Sequence, residues 1–597
     1  MIQTYRLLWQ LLSPLEKRRF LVLLVMVAFM AIFEAIGVAI ILPFLQVLAK
    51  PEAIQSNTIL RMFWDSFNFV SIQNFVSVFG LVVFAFIVFS LFFRAVSTYV
   101  LMQFCLMRAH SLGVQLLQKY LYQPYVWFLT RNTSELGQTV LSEIDVVVRD
   151  SLLPAVLFIS HTLVTFLIIG IVFLIDPWIA LGTFGVLGGG YLLVYFLLRK
   201  RLEDVGEQRY WANRERFLVA QEATSGLKEL KVMGIEDAFI KRFHNPAKNM
   251  ARSQTKQQIL SKLPRFVLEG LTYGGFIIMI LVLQIRHGAQ ITDMLPFLGL
   301  VGMAGSKLFP ALQQIYQQVS LMRGAVPALK DLHHNLTTLE IPKNSQDGPA
   351  ALHLEDSFEL REVSFSYDKQ ERAILNNISL KFPKGDTIGI VGGTGAGKTT
   401  VVDLILGLLV PDSGDLVADG TKINLENIRA WQKNLGYVPQ HIFLSDASVA
   451  ENIAFGVEKD QIDQDAVERA ARIAQLHEFV ATELSDGYDT FVGERGVRLS
   501  GGQRQRIGIA RALYYNPEIL VFDEATSALD NLTEQALIEA VHNIGRSKTV
   551  IMIAHRLSTV KECDTIFLLE AGNLAAEGTY DKLISGNEKF KKMAIGQ

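Results

Sequence analysis

The sequence predicts a multidomain membrane protein in which an all-α transmembrane domain of six helices is followed by an α/β domain. Three observations support this class: apolar runs before residue 325, a glycine-rich loop at 392–399, and strand-like alternation after residue 355. Only 19% of the 597 residues are charged and 50% are hydrophobic, whereas average soluble chains carry about 25% charged residues. The deficit of charge indicates that part of the chain lies in a membrane.

Composition also excludes several classes of function. A net charge of −2 gives no basic surface for nucleic acid, so no nucleic-acid partner is expected. The two cysteines, Cys105 and Cys563, are too few for a disulfide framework or a zinc site, which suits a reducing cytosolic face. The first apolar run, from about Phe20, is too long for a cleavable signal peptide.

Six apolar runs in the first half approach the length of about 20 residues that a spanning helix needs. The last run is the weakest because it contains Lys307 and two prolines, which neighbouring helices can accommodate in a membrane. The six candidate spans are Phe20–Leu48, Phe75–Phe93, Leu152–Ile175, Ile179–Leu198, Phe266–Ile285 and Met294–Leu321.

The basic residues predict which way the chain crosses the membrane. Lys17–Arg19 precede the first span and Arg199–Arg201 follow the fourth, and such clusters stay cytosolic. The segment 199–265 carries 15 Lys/Arg against 8 Asp/Glu, in agreement. The N-terminus and the second half are therefore expected in the cytosol, and the short Asp176–Trp178 turn outside.

Two long cytosolic excursions, 104–150 and 199–265, lack the composition of linkers and are interpreted as helices that extend past the bilayer. Their tips lie near 121–132 and 224–239 and carry apolar residues in a polar setting. Contact with the second half of the chain and an ordinary helical hairpin tip are both consistent with this pattern.

The predicted external segment 58–70 places Arg61, Asp65 and Asn68 on one helical face, with apolar residues over much of the remainder. An amphipathic helix at the outer membrane interface and an irregular loop with aromatic anchors both fit this spacing.

Four charged residues lie within or near the predicted spans. Charge in a membrane is costly and marks a functional position by default. Contact with a transported substrate and a structural ion pair remain open for each. The four candidates are Glu34, Arg94, Glu269 and Lys307.

The stretch GGTGAGKT fits the pattern G-x-x-x-x-G-K-[ST], between an apolar strand pattern and a helix pattern. Its glycines let backbone N–H groups point at phosphate oxygens, and the dipole of the following helix adds positive potential. Lys398 is expected at the β- and γ-phosphates and the Thr399 hydroxyl at Mg²⁺. The predicted nucleotide-binding residues here are Gly392, Gly393, Thr394, Gly395, Ala396, Gly397, Lys398, Thr399 and Thr400.

The second half reads as an α/β domain with a largely parallel sheet. We predict a transmembrane domain over 1–339, a linker over 340–354 with Pro, Ser and Gly, and the α/β domain over 355–597. The apolar strand LVFDE ends in two acids. Asp523 is placed to hold Mg²⁺, and Glu524 to polarise the attacking water as general base.

With LSGGQRQRI at 499–507, these motifs in this order resemble the ATPase domain of an ABC transporter. Tyr367 resembles the aromatic residue that stacks on adenine, and Gln440 the glutamine that links the metal to the transport domain. His555 resembles the histidine that senses the γ-phosphate, and SALD (527–530) a segment that joins two ATP sites. The stretches SVAENIAFG (448–456) and VGERG (492–496) are similar to stretches of ABC exporters.

The resemblance implies two such domains around two ATP molecules with Mg²⁺. Ser500, Gly501, Gly502 and Gln503 of one subunit would face the γ-phosphate held by the other subunit's Lys398, as helix N-termini can. Every catalytic motif position is intact, so the expected partner is a second copy of the chain. Six helices followed by one ATPase domain is the plan of an exporter half-transporter.

FEAIGVAIILPFLQVLA (33–49) and KLPRFVLEG (262–270) are similar to segments of bacterial lipid-linked oligosaccharide flippases. The expected function is ATP-driven movement of a lipid-linked oligosaccharide or other glycolipid across the cell inner membrane. Alternatives are export of a lipid-A-like lipid or of drugs, and a membrane-tethered ATPase of the soluble type, which would need only one span. The lack of an N-terminal cysteine-protease domain argues against peptide-processing exporters.

Overall fold

The computed structural model describes residues 1–49, 51–175, 177–287, 291–341, 351–367, 373–493, 496–524, 548–554 and 556–595. The chain divides into two compact units. Met1–Gln123 and Arg131–Ile341 form the helical unit, while Pro124–Thr130 and Pro342–Gln597 form the α/β unit. The fold class predicted from the sequence, a helical domain followed by an α/β domain, is confirmed.

The part of the helical unit that the structure describes consists of helices joined by short turns. Two single turns of π-helix, Thr139–Glu143 and Val148–Leu152, interrupt the α-helical conformation between residues 138 and 153. Its α-helices are α1 (Ile2–Gln10), α2 (Pro14–Ala39), α3 (Ile41–Ala49), α4 (Ala53–Ser56), α5 (Thr58–Ser66), α6 (Ile72–Leu121), α8 (Thr133–Gln138), α9 (Ile144–Val147), α10 (Leu153–Ile175), α11 (Pro177–Ser225), α12 (Leu227–Met233), α13 (Glu236–His287), α14 (Ile291–Gly324) and α15 (Val326–Thr338), with α7 (Tyr125–Leu129) in the other unit.

Three helical stretches among the described residues are long and apolar enough to cross a membrane: Pro14–Ala49, Ile72–Leu121 and Thr133–Leu174. They contain the first two predicted spans and the third as far as Leu174. The other three predicted spans fall within α11, α13 and α14, and their crossing of the membrane remains a prediction. Asp176, the first residue of the predicted external turn, lies outside the described residues.

Small side chains let the apolar helices pack closely. Ala31 and Ala35 of α2 share a buried cluster with Ile168 of α10, Ala180 of α11 and Ala304 of α14. Without a hydrophobic driving force in lipid, close contact between helix backbones is what associates such helices.

A buried polar network joins α8, the first π-turn and α11. The fully buried carboxylate of Glu143 accepts hydrogen bonds from Arg209 at 3.1 Å, Asn213 at 2.7 Å and Gln138 at 3.0 Å. A charge without water is tolerated only with such partners, so these contacts fix the register of the helical extensions.

The segment 58–70 contains a helix, α5 (Thr58–Ser66), instead of an irregular loop throughout, while its place at the outer membrane interface remains a prediction. Arg61 and Asp65 lie 3.8 Å apart on its exposed face, whereas Leu60 is 1% exposed. Leu60 and Phe63 pack with Phe75 of α6 in an aromatic cluster. The helix is therefore anchored by its apolar face to the helix that follows it.

The α/β unit contains two sheets. Its strands are β1 (Ser357–Phe365), β2 (Leu375–Pro383), β3 (Thr387–Gly392), β4 (Ser413–Ala418), β5 (Thr421–Lys422), β6 (Leu435–Val438), β7 (Ile519–Asp523), β8 (Thr549–Ile553), β9 (Thr565–Glu570) and β10 (Asn573–Gly578). Its further helices are α16 (Lys398–Ile405), α17 (Ile428–Gln432), α18 (Val449–Ile453), α19 (Gln464–Ile473), α20 (His477–Glu483), α21 (Gly501–Leu513), α22 (Tyr580–Gly586) and α23 (Glu588–Ile595).

The larger sheet has the strand order β10-β9-β3-β8-β7-β6, and all its pairs except β10–β9 are parallel. The predicted parallel sheet is therefore present, and a four-stranded antiparallel sheet, β2-β1-β4-β5, accompanies it. Since parallel strands end at the same edge, the loop after β3 and the acids that end β7 lie at one edge with β8 between them.

The two predicted tips belong to different units of the structure. Residues 124–130 form part of the α/β unit, and Val126 of α7 packs against its buried core. The second tip contains α12, which exposes Leu227, Val232 and Met233. Contact of this second tip with the α/β unit remains a prediction.

Candidate functional site

A loop between β3 and α16 carries the glycine-rich motif. Gly395 and Gly397 have φ values of +77° and +97°, in the left-handed region that suits glycine. A Cβ on Gly397 would also lie 2.6 Å from the side chain of Leu375. Gly393, Thr394 and Gly395 are exposed. The predicted strand–loop–helix arrangement is present, with backbone open to a ligand at the start of a helix.

Lys398 opens α16 and folds back over the loop. Its ammonium donates hydrogen bonds to the carbonyl of Gly392 at 2.9 Å and of Gly393 at 3.2 Å, with only 6% of the residue exposed. Burial lowers the pKa of Lys398, and the carboxylates of Glu524 and Asp523 partly raise it again. The cation is held within the loop that would surround phosphate groups.

The two threonines of α16 differ in exposure. Thr399 is exposed in the first turn of the helix, whereas Thr400 is 4% exposed. The Thr399 hydroxyl is therefore accessible to a ligand, while Thr400 belongs to the packed side of the helix; the binding of Mg²⁺ by Thr399 remains a prediction.

Asp523 and Glu524 lie at the end of β7, and Gln440 follows β6, the neighbouring strand. The side-chain amide of Gln440 donates a 2.5 Å hydrogen bond to Glu524 Oε2. Glu524 has a φ of +51°, and its own amide donates to the carbonyl of Ile553 at 3.1 Å. The strand therefore ends in a sharp turn that aims this carboxylate towards Gln440.

Two residues at this edge were not predicted. The hydroxyl of Tyr437 lies 3.4 Å from Asp523 Oδ2 and donates to it. Asp403, one turn along α16 from Thr399, is 8% exposed, and burial together with the charge of Asp523 raises its pKa to about 6. Asp403 follows Thr399 by four residues, and this helical spacing could have indicated that it lies near the site. Tyr437 precedes Gln440 by three residues, and this proximity could have indicated the same.

The helix α21 begins at the LSGGQ motif. Ser500 is its N-cap: the hydroxyl accepts from the amide of Gln503 at 3.2 Å, and the side chain of Gln503 accepts from the amide of Ser500 at 2.7 Å. This capping box leaves Gly501 and Gly502 in the first turn, where amides point away from the helix. The motif thus presents a helix N-terminus suited to an anion, while Gln503 serves as its cap.

Tyr367 lies just after β1, with 43% of its surface exposed and its ring 5.1 Å from that of Phe365. An exposed ring can stack on a planar base. His555 and the segment 527–530 lie outside the described residues, as do 342–350 of the predicted linker and 494–495 of VGERG.

Three of the four charged residues of the predicted spans have partners in the structure. Glu34 is 8% exposed, and its carboxylate lies 2.7 Å from Arg94. Glu269 lies 3.7 Å from Arg265 and accepts from the hydroxyl of Tyr273 at 3.4 Å. These contacts favour structural ion pairs for Glu34, Arg94 and Glu269.

Lys307 lies half-buried on α14, next to Leu308 of the buried helical cluster. A substrate role for any of the four charged residues remains a prediction.

Two family models match the chain. The ABC transporter transmembrane region matches residues 19–303, and the ABC transporter model matches residues 375–527. An ABC transporter ATP-binding protein of uncharacterised function, y4gM of Sinorhizobium fredii, is 31% identical over 482 residues, covering 79% of this chain and 78% of that protein. The chain belongs to the ABC transporter family. The predicted recognition is confirmed: this is an exporter-type half-transporter with the transmembrane and ATPase domains fused.

Two further relatives of the transporter are heterocyst differentiation ATP-binding protein HepA of Nostoc and alpha-hemolysin translocation ATP-binding protein HlyB of Escherichia coli O157:H7. They are 32% identical over 66% of this chain and 33% identical over 67% of it, respectively. The transporter spans 64% of the Nostoc protein and 55% of the Escherichia coli protein.

The fold of the transporter matches a solved bacterial Atm1-family ABC exporter with ATP bound. The TM-score is 0.79 at 24% identity, over 97% of this chain and 98% of that chain. This likeness shows a common fold.

The donor set of the transporter fits ATP and Mg²⁺, the ligands of this family's ATPase domain. Loop amides and Lys398 suit phosphate oxygens. The hydroxyl of Thr399 and the carboxylate of Asp523 are hard oxygen donors of the kind that Mg²⁺ prefers. The predicted cofactors therefore agree with the residues present.

Proposed function

We propose that this chain works as a homodimeric, ATP-driven exporter that moves an amphipathic lipid, most economically a lipid-linked oligosaccharide or another glycolipid. It would act across the cell inner membrane, with the N-terminus and the α/β unit in the cytosol. The observation that supports this cargo is α5. Leu60 of this helix is buried and anchors it. The exposed side of the helix carries the Arg61–Asp65 pair and Met62, which is 71% exposed. A charged group beside an exposed apolar one suits a ligand with a polar head and an apolar tail.

The α/β unit supplies the energy. In this proposal Lys398 and the loop amides bind the phosphates, and Thr399 and Asp523 would hold Mg²⁺, which would supply positive charge against them. Glu524, oriented by Gln440, accepts the proton of the attacking water. All of these side chains are present, so each ATPase unit is expected to be active.

Transport needs two states with different affinity for the cargo. ATP binding would bring the Ser500–Gln503 helix start of one subunit against the phosphates held by the other subunit. The cytosolic tips, near α7 and α12, would carry this motion to the spanning helices. Hydrolysis and product release would restore the first state.

The test is translocation in proteoliposomes that contain the purified full-length chain. A fluorescent polyprenyl-pyrophosphate glycan should cross only with ATP and Mg²⁺, and Glu524→Gln should abolish crossing. Met62→Glu should slow glycan crossing and leave basal ATP hydrolysis intact, whereas Leu425→Glu, at a site 77% exposed in the α/β unit, is the matched surface control. Normal crossing with Glu524→Gln would sink the mechanism.

A second candidate cargo is a polypeptide, because several relatives at 30–33% identity carry the names of toxin translocation proteins. The same vesicles distinguish the two. ATP-dependent accumulation of an unfolded polypeptide, with no crossing of the glycan, would favour the second candidate. Stimulation of ATP hydrolysis by hydrophobic drugs, with none by glycolipids, would instead favour a drug exporter.

A further inference from the structure

An apolar cavity of about 370 Å³ lies beside the N-terminal helix α1. Its volume is within the range of about 300–1,000 Å³ that is typical of ligand sites. Three helices contribute its main apolar walls, with Leu8 and Trp9 from α1, Phe20 from α2, Ala155 from α10, and Leu152 from the turn before α10. No step of the proposed transport cycle uses this cavity.

The cavity has fixed walls. The hydroxyl of Tyr5 donates to the carbonyl of Ala155 at 2.9 Å, which ties α1 to α10. Arg108 of α6 donates to the carbonyl of Leu11 at 2.9 Å and also pairs with Glu16. These contacts hold α1 against two long helices, so the cavity does not depend on a ligand to form.

The predicted topology places the cavity at the cytosolic border of the membrane. Phe20 opens the first predicted span and Leu152 opens the third, and both line the cavity. Next to Phe20, Leu21 and Val22 are 53% and 70% exposed, as side chains that face acyl chains are. An apolar site here is within reach of the tails of cytosolic-leaflet lipids.

The chain segment that lines the cavity carries an excess of positive charge, which favours an anionic head group. The first twenty residues contain four basic side chains and one acidic one. The acidic residue, Glu16, is engaged by Arg108 and by the amide of Ser13. Arg6 lines the cavity, and Arg18 and Arg19 are exposed at the start of α2. This excess of positive charge attracts an anionic ligand at the membrane surface.

We propose that this cavity binds an anionic phospholipid of the cytosolic leaflet as a resident lipid of the transporter. One acyl chain lies between α1 and α10, and the phosphate lies near Arg6, Arg18 and Arg19. This proposal is independent of the identity of the transported cargo. An apolar cavity joined to a basic rim matches a phospholipid, whereas a soluble anion would leave the apolar walls unused.

The test uses the full-length protein, delipidated in mild detergent and offered equal amounts of phosphatidylglycerol and phosphatidylcholine. Native mass spectrometry should show preferential retention of phosphatidylglycerol. Since R18Q/R19Q removes two positive charges from the proposed site of the lipid phosphate, it should lower the preference by about tenfold or more. K200Q/R201Q removes two charges from the cytosolic part of α11 and is the matched control, which should keep the preference.

Two variants address the cavity itself. Ala155→Trp fills it, and Ile2→Glu places a carboxylate on a lining residue that is 88% exposed, where folding tolerates the change. Both should lose the retained lipid while all basic residues stay. Equal loss of preference in K200Q/R201Q, or full retention of lipid by Ile2→Glu, would overturn the proposal. Competition by glycerophosphoglycerol, the head group without chains, would equally show that the cavity has no part in binding.

Discussion

Gln440 and Glu524 are joined by a 2.5 Å hydrogen bond between the side-chain amide and the carboxylate. The two residues come from the ends of neighbouring parallel strands, β6 and β7, so the sheet itself sets their separation. Gln440 is the proposed contact to metal and transport domain, and Glu524 is the proposed general base. One hydrogen bond therefore connects the residue proposed to link the metal to the transport domain with the residue proposed to act on water.

Glu524→Gln should lower ATP hydrolysis by about 10²- to 10⁴-fold, the usual contribution of a general base. Binding of ATP should persist, because Lys398 and the loop are unchanged. Phosphate release and binding of a fluorescent ATP analogue measure the two quantities. Glu577→Gln removes an exposed carboxylate of β10 and is the control; a Glu524→Gln protein that hydrolyses ATP as fast as this control rules out the role.

Gln440→Ala should reduce hydrolysis less than Glu524→Gln does and should raise the Mg²⁺ concentration that hydrolysis needs. The reason is that Gln440 orients the base and is a proposed metal contact, but accepts no proton itself. Titrating Mg²⁺ against phosphate release measures both effects. Gln432→Ala is the matched control, since Gln432 donates to the carbonyl of Leu406 at 3.0 Å in a structural role. An unchanged Mg²⁺ requirement in Gln440→Ala contradicts the metal contact.

Mixed dimers test whether two chains share each ATP site. If Ser500 completes the site of the other subunit, a dimer with Lys398→Ala in one chain and Ser500→Arg in the other keeps one intact site. A dimer with both changes in one chain has none. Chains with two different affinity tags allow each dimer to be purified, and phosphate release is then measured. Equal activity of the two dimers would show that Ser500 does not act across the interface.

The sequence was sufficient for features that depend on a motif and its immediate neighbours. The loop from Gly392 to Thr399 joins a strand to a helix as predicted, because glycine and the apolar runs determine local conformation. Asp523 and Glu524 were predicted at the end of a strand for the same reason. Long apolar runs likewise become helices wherever the backbone must satisfy its own hydrogen bonds.

Features that depend on residues far apart in the chain could not be predicted from the sequence. Glu34 and Arg94 are 60 residues apart in the numbering, and only the packing of α2 against α6 places them together. The network around Glu143 requires side chains from residues 138, 209 and 213. The raised pKa of Asp403 arises from burial beside Asp523, which sequence spacing does not reveal.

Asp403→Asn should stabilise the protein at neutral pH. The pKa of Asp403 in the folded protein is about 6, above the ordinary 3.8. Ionisation of this carboxyl therefore lowers the free energy of unfolding progressively between about pH 4 and pH 6, and by a constant amount at higher pH. The cost in the free energy of unfolding above pH 6 is therefore on the order of 3 kcal/mol. Thermal unfolding midpoints of the nucleotide-free full-length chain, from pH 4 to 8, should show Asp403→Asn above wild type at pH 8 and equal to it near pH 4.

Asp419→Asn is the control of opposite sign. Burial raises the pKa of Asp419, but the hydrogen bonds that its carboxylate accepts from the amides of Glu355, Ser357 and Asp356, together with the charge of Lys384, bring it below the ordinary value. Its removal should destabilise the protein at neutral pH. A lower midpoint for Asp403→Asn than for wild type at pH 8 would mean that the charged form of Asp403 is stabilised by the fold.

Substitutions in the Glu34–Arg94 pair can distinguish a structural role of these residues from contact with the cargo. The Glu34 carboxylate is buried but Arg94 is 44% exposed, so removing one partner should lower stability by less than the cost of about 3–5 kcal/mol for a fully buried pair. We therefore expect Glu34→Ala to lower the unfolding midpoint markedly and Glu34→Ala/Arg94→Ala to recover part of the loss. The exposed Arg61–Asp65 pair, 3.8 Å apart, is the control, for which coupling of about 0–1 kcal/mol is expected. Unchanged midpoints with a raised KM for the glycan would instead assign Glu34 to the cargo.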